Sequence, residues 1–296
     1  VQSSDLLEIR LAPGERLDAA LHRVLARRYP RASRRQVKRA LEEGVIRRAA
    51  GPEVQAGGET CFEVNWPELE ARLAPAPPVP RPEGCGIEVV HEDEHCCVFY
   101  KPSGMPSEPI APGEKDTALN HALAHDPGLK LLHRLDTGTS GLLAFARNEE
   151  AYQRLRLAWQ QGRVRKFYRA RVTTALPPPF PRLIDAPLGH DPKSSRRMIV
   201  AKPGRKIRGK PLPARTTLLG CRPLSGLESP TGQAVYEVSI ELHTGVMHQI
   251  RVHLAWLGSP ILGDGVYGGE AAERLWLEAW RLDLPELPPI AMKGVL

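Results

Sequence analysis

The 296-residue chain carries a net charge of +7, is 42% hydrophobic and 5% aromatic, and contains five cysteines. That length fits one large domain, or a medium domain beside a small one. The composition argues against a helical membrane span, since no apolar run is long enough, and against a disulfide framework, since the cysteines are odd in number with Cys96 and Cys97 adjacent.

The N-terminal stretch VQSSDLLEIR lacks a basic segment followed by an apolar core, so no secretion signal is expected there and a reducing cytoplasm is the expected location. Leu17, Ala20, Leu21, Val24 and Leu25 then recur at helical spacing. Pro30 interrupts, and SRRQ at 33–36 offers a capping box that opens a second helix with Val37, Ala40 and Leu41 on its apolar stripe. Gly44 is placed to end it. Between Ala19 and Leu41 lie Arg23, Arg27, Arg28, Arg31, Arg34, Arg35, Lys38 and Arg39, with no acidic residue among them. Arg34, Arg35, Lys38 and Arg39 project from the start and outer face of the second helix, a pattern suited to phosphate contacts. Short strands are expected in VIRRAAG and CFEVNW.

PAPPVPRPEG at 75–84 is a stiff, proline-rich spacer. It divides the chain into residues 1–74, the linker 75–84 and residues 85–296. Beyond it, GIEVVHEDEHCCVFYK suggests two strands about an acidic turn. EEAYQRLRLAWQQG suggests a helix capped by Asn148 and closed by Gly162. VRKFYRARVTT and AVYEVSIELH are expected strands, the second alternating Val235, Glu237, Ser239 and Glu241 against Tyr236, Val238, Ile240 and Leu242. MHQIRVHLAWLG suggests a helix stopped by Gly258. A second basic run, Lys193 to Arg215, again contains no acid. Strands outnumber helices without a βαβ rhythm, so the expected class is α+β, with a mixed, mainly antiparallel sheet.

Several motifs carry little chemistry. GDGVYG at 263–268 spells a dinucleotide fingerprint, yet no clear strand precedes it. His121 and His125 stand one helical turn apart without a third ligand, and the spacing of His243, His248 and His253 points them in different directions. No metal site is expected. Asp136, in HRLDTGTSG at 133–141, could be a turn aspartate bonding nearby amides. In a basic chain, however, a carboxylate at a strand end opposes the approach of phosphates, so another use must offset it.

HRLDTGTSGLLAFAR strongly resembles the signature of the RluA-type pseudouridine synthases, and YKPSGMPSEP, RKFYRARV, GHDPKSSRRM and HTGVMHQIRVHLAWLGSPILGDGVYGG extend the likeness over residues 86–282. Residues 15–65, through ERLDAAL, SRRQVKRALEEGVI and VQAGGE, resemble an S4 domain, a small RNA-binding module of mixed helices and strands, although RRAAG replaces its usual asparagine–glycine turn. The resemblance implies an isomerase that breaks the N1–C1′ bond of uridine, turns the base and forms C5–C1′, with no cofactor. It implies Asp136 as the catalytic carboxylate, acting as nucleophile or base. Arg251 is implied as its counter-ion, Tyr168 as a ring on the target base, and Arg134 as the side chain filling the space of the flipped uridine. Val246, Met247 and Glu278 depart from the family pattern. The implied partner is structured RNA, ribosomal RNA before transfer RNA, bound by a monomer. The rival from another class is a non-catalytic S4-type RNA-binding or ribosome-assembly factor, and a hydrolase using paired carboxylates finds no second acid beside Asp136 in any motif.

Overall fold

The computed structural model describes residues 6–10, 12, 15–26, 28–29, 34–49, 59–73, 87–110, 114, 116–194 and 196–292. Ser33, Pro30, Arg27, Arg31, most of VQAGGE and the linker 75–84 lie outside them, as do the side chains of Arg35 and Gln36. The chain divides into two compact units, Val1–Pro77 and Pro78–Leu296.

In the first unit, β1 (Leu6–Arg10) is followed by α1 (Leu17–Leu25), α2 (Arg34–Glu42), β2 (Ile46–Arg48), β3 (Glu59–Val64) and α3 (Trp66–Leu73). The strands form an antiparallel sheet in the order β1-β3-β2. Leu21 and Leu25 from α1 meet Val37 and Ala40 from α2, and these pack with Ile9, Ile46, Phe62 and Leu69. Gly44, at φ 72, lets Val45 N–H reach back to Ala40 O and turns the chain from α2 into β2. The basic face of α2 is partly neutralised by acids just outside the run. Arg34 donates to Asp18 at 2.8 Å, Arg39 to Glu43 at 2.6 Å, and Lys38 stands 3.5 Å from Glu42.

The second unit runs β4 (Glu88–Glu92), β5 (Cys96–Lys101), α4 (Ala118–His125), β6 (Lys130–Leu131), β7 (Ser140–Ala146), α5 (Glu149–Gln160), β8 (Arg165–Val172), β9 (Arg182–Asp185), β10 (Leu188–His190), β11 (Met198–Val200), β12 (Arg208–Leu212), β13 (Arg215–Glu228), β14 (Ala234–Leu242), α6 (Gln249–Trp256), β15 (Leu277–Asp283) and β16 (Ile290–Ala291). Its main sheet has the order β4-β5-β7-β15-β8-β14-β13-β9, with β6 on β7 and β16 on β15. Every pairing is antiparallel except β7 with β15. A second, three-stranded antiparallel sheet, β11-β10-β12, carries much of the Lys193–Arg215 run.

The period-two alternation of the strands serves two cores. On one face Cys97, Phe99, Leu143, Phe145, Tyr168 and Ile240 pack with residues of α4 and α6. On the other, Cys96, Val98, Leu142 and Ala144 pack with Ala151, Leu155 and Ala158 of α5. Asn148 caps α5 by accepting from Ala151 N–H at 2.8 Å, and Gly162 follows it at φ 69. α6 starts at Gln249, two residues later than the sequence pattern suggests, because His248 takes a left-handed conformation at φ 57 and ends the preceding loop. Gly141 sits where β7 meets β15: a Cβ there would lie 2.2 Å from Ala279 O, so only glycine permits the approach.

Candidate active site

Asp136 lies in the short turn that precedes β7, closed by Thr139 N–H donating to Asp136 O at 2.9 Å. The loop after β5 grips this turn on all sides. Ser107 Oγ donates to Leu135 O at 2.8 Å and accepts from Leu135 N–H at 3.0 Å. Gly104 N–H donates to Thr137 O at 2.9 Å, and Ser103 Oγ donates to Gly138 O at 2.7 Å. Lys101, fully buried at the end of β5, spends its three ammonium hydrogens on Pro102 O, Met105 O and Thr137 O at 3.0, 2.6 and 3.1 Å. Backbone groups on both sides of Asp136 are therefore fixed. Its carboxylate accepts no hydrogen bond from any described residue, so it is not the amide-bonding turn aspartate that its position allows.

The groups whose protonation responds to the charge of this half-buried carboxylate are cationic or proton-bearing. Burial pushes the Lys101 ammonium down to about 8, with Asp136 opposing the shift. Burial raises the Tyr168 hydroxyl well above its ordinary range, and the Asp136 charge adds to it, so Tyr168 stays protonated. Tyr168 lies in the middle of β8, opposite Ala279 on one side and Ile240 on the other. Burial would pull the Arg251 guanidinium down, yet Asp264 and then Asp136 hold it above its usual value.

Arg251 does not pair directly with Asp136. Its guanidinium forks onto Asp264, Nε to Oδ2 at 2.8 Å and the terminal nitrogen to Oδ1 at 2.7 Å. Asp264 also accepts from the amides of Val266 and Tyr267 at 3.1 and 3.2 Å. The planar fork is thus aimed by a second, buried carboxylate, and Asp136 acts on it through space. Arg134 is exposed and bonded to Glu108 at 2.6 Å. Glu278 accepts from Tyr100 OH at 3.1 Å and from Arg169 at 3.0 Å, so its place in the sheet is matched by two donors. Arg34, Lys38 and Arg39 belong to the first unit.

Four residues of this neighbourhood are missing from the candidates that the sequence supplies: Lys101, His248, Asp264 and Tyr267. The signal for Asp264 and Tyr267 is present in GDGVYG, whose first glycine serves close packing. A Cβ on Gly263 would lie 1.8 Å from Arg274 O. Two groups of described residues could hold a metal ion, His91–Asp93–Cys96 and Glu92–Cys97–His125. Both centre on the β4–β5 hairpin, and neither includes a residue of the Asp136 turn.

The profile of the family described as RNA pseudouridylate synthase matches residues 95–256. An RNA pseudouridine synthase of Chloroflexus aurantiacus, itself uncharacterized, is 38% identical over 265 residues, covering 86% of this chain and 75% of the relative. The ribosomal large subunit pseudouridine synthase D of Zymomonas mobilis is 30% identical over 263 residues, covering 84% and 76%. Among solved structures, human RNA pseudouridylate synthase domain containing 1 shares the fold with a TM-score of 0.59 at 24% identity, over 71% of this chain and 84% of that one. With the sheet, the clamped aspartate turn and these matches together, the chain belongs to the RluA-type RNA pseudouridine synthases, isomerases that convert uridine to pseudouridine in RNA.

Proposed function

We propose that Asp136 is the catalytic carboxylate of this synthase, with Tyr168 and Arg251 completing the reacting site, and that its substrate is ribosomal RNA. The observation that carries this reading is the unbonded Asp136 carboxylate on a turn whose neighbouring groups are all tied down. A carboxylate without protein donors stays available to attack carbon or take a proton, while the rigid turn removes the cost of orienting it. Arg251, aimed by Asp264, supplies a fixed positive charge within the field of Asp136. Tyr168 offers a buried aromatic ring for the base and a hydroxyl that remains protonated.

Ribosomal RNA is favoured by the relatives named for the large ribosomal subunit. The first unit, with three helices against a three-stranded sheet and a basic α2, supports an S4-like RNA-binding role. Its ion pairs are exposed and individually weak, so phosphates can replace Asp18, Glu42 and Glu43 as partners.

The test is Asp136→Asn in a single-turnover assay on ribosomal RNA fragments and transfer RNA, with nucleoside analysis. Loss of at least a thousandfold in rate with near-parent RNA affinity is expected, and activity within tenfold of the parent would overturn the assignment. Modification of transfer RNA alone would overturn the ribosomal substrate. For the first unit, changing Arg34, Arg35, Lys38 and Arg39 to Gln should make the log-affinity versus log-salt slope shallower by roughly 3 units. An unchanged slope means that α2 does not touch RNA.

A further inference from the structure

His248 has an unusual backbone, and one of its ring nitrogens has a defined partner. It is one of two non-glycine residues with positive φ among those described, at φ 57 and ψ 18. It precedes α6, yet its side chain caps no helix amide. The loop before it is tied to Gln249, whose buried amide accepts from Thr244 Oγ at 2.7 Å and Val246 N–H at 3.2 Å. The same amide donates to Arg215 O and Thr216 Oγ, both at 2.9 Å. A residue held in a sparsely populated conformation by its surroundings is a pointer to function.

The ring is then fixed by a chain of donors. Met198 N–H donates to Tyr267 OH at 2.9 Å, which makes that oxygen an acceptor. The hydroxyl hydrogen is left for His248 Nδ1, 3.0 Å away. With the hydroxyl donating, Nδ1 accepts and the neutral ring carries its proton on Nε2, the tautomer on which the proposal below rests. Burial pushes the imidazole below its ordinary value, Asp136 opposes that shift, and Arg251 adds to it. The ring is neutral at physiological pH, and it lies within the fields of both Asp136 and Arg251. Nε2–H has no partner among the described residues.

We propose that His248 is a catalytic residue: its Nε2–H donates a hydrogen bond to a carbonyl oxygen of the target uracil while the base is detached from its sugar. The proposal rests on the reading of Asp136 as the catalytic carboxylate. When N1–C1′ breaks, the bonding pair leaves with the base, and the charge spreads onto its carbonyl oxygens. C5 then supplies the pair that forms C5–C1′, and the proton lost from C5 is balanced by one gained at N1. Turning the ring about its N3–C6 axis exchanges N1 with C5, and it also exchanges O2 with O4. One fixed donor thus meets a carbonyl oxygen before and after the turn without moving. A donor aimed at charge that develops during the reaction lowers the barrier more than it tightens ground-state binding.

The experiment compares single-turnover rates of parent and His248→Asn on RNA carrying uridine, 2-thiouridine or 4-thiouridine at the target position. Sulfur accepts hydrogen bonds poorly. Asn tolerates the left-handed backbone and can reach Tyr267, but it does not reach the Nε2 position. The expected result is a loss of about 100-fold in rate on uridine with unchanged RNA affinity. At least one thio substitution should slow the parent more than the variant. A variant rate within threefold of the parent, or equal thio effects in both proteins, would overturn the proposal. Tyr267→Phe provides a second route that leaves His248 in place. It releases Nδ1 to take the proton and should lower the rate severalfold, and a parent rate there would overturn the tautomer assignment. Asp136→Asn assayed in parallel separates the two readings. If it stays active, the catalytic site itself is misassigned. If it is dead while His248→Asn is unimpaired, only the histidine's role fails.

Discussion

The fork between Arg251 and Asp264 gives a quantitative prediction. The side chains are 10% and 0% exposed, so each is a buried charge neutralised chiefly by the other. Removing one partner of such a pair costs about 3–5 kcal/mol. Arg251→Met leaves Asp264 with two amide donors but no cation, and Asp264→Asn leaves the guanidinium with one acceptor in place of two. For a unit of this size each kcal/mol lowers the melting temperature by roughly 2–4 °C, so falls of about 6–20 °C are expected. The double variant, Arg251→Met with Asp264→Asn, removes both charges and should lie only about 1–2 kcal/mol below the parent. The pair would then be coupled by several kcal/mol, far from additive. Four of the five tryptophans, Trp159, Trp256, Trp276 and Trp280, belong to the second unit, so fluorescence reports its unfolding separately from the first. All three variants should lose isomerase activity, including the stable double variant, because none presents an aimed guanidinium near Asp136. Single variants whose costs add within about 0.5 kcal/mol would refute the argument that burial makes each charge depend on the other.

Other outcomes follow from the same structure. Burial, then Lys166, holds the His133 imidazole down at about 3. The folded ring stays neutral below pH 6.5 while the unfolded ring gains a proton, so stability falls as pH drops toward 3. The loss from this group is about 2 kcal/mol between pH 7 and pH 5, and His133→Gln should flatten denaturant-midpoint profiles by that amount; an unchanged profile would sink the idea. Gly141→Ala places a Cβ 2.2 Å from Ala279 O at φ +115 and should prevent the second unit from folding, which a parent melting temperature would disprove. Burial pushes the thiols of Cys96 and Cys97 up to about 12. Alkylation of the native protein at pH 8, read by mass spectrometry, should label Cys221 before either of them.

Much of this was legible where one residue type has one physical use. Asn148 before an amphipathic run and Gly162 after it bounded α5 closely, and the alternation in AVYEVSIELH located β14. Asp136 stood out because a carboxylate in a basic chain needs a reason. Its partners were harder to read. The resemblance implies Arg251 as the counter-ion of Asp136, while packing gives the fork to Asp264, thirteen residues along in a turn that spells a cofactor motif. Lys101 ends the strand run CCVFYK, and nothing local indicates that carbonyls from two separate segments converge on it. The arginine run in α1 and α2 contained no acid when counted between Ala19 and Leu41. Spacing alone could still have shown Lys38–Glu42 and Arg39–Glu43 as pairs one helical turn apart.

The parallel strand β15 has a consequence for how the enzyme comes into being. It lies between β7, which follows Asp136, and β8, which carries Tyr168. Until residues 277–283 have been synthesised and inserted, those two strands lack the neighbour that joins them, and the carboxylate and the tyrosine are not held in one frame. On the proposed assignment, a chain still emerging from the ribosome therefore holds Asp136 and Tyr168 without a working site. Closing the sheet requires pairing between segments more than a hundred residues apart, a slow step that leaves strand edges open in the meantime. Catalytic competence should arrive late and abruptly, with the last long strand.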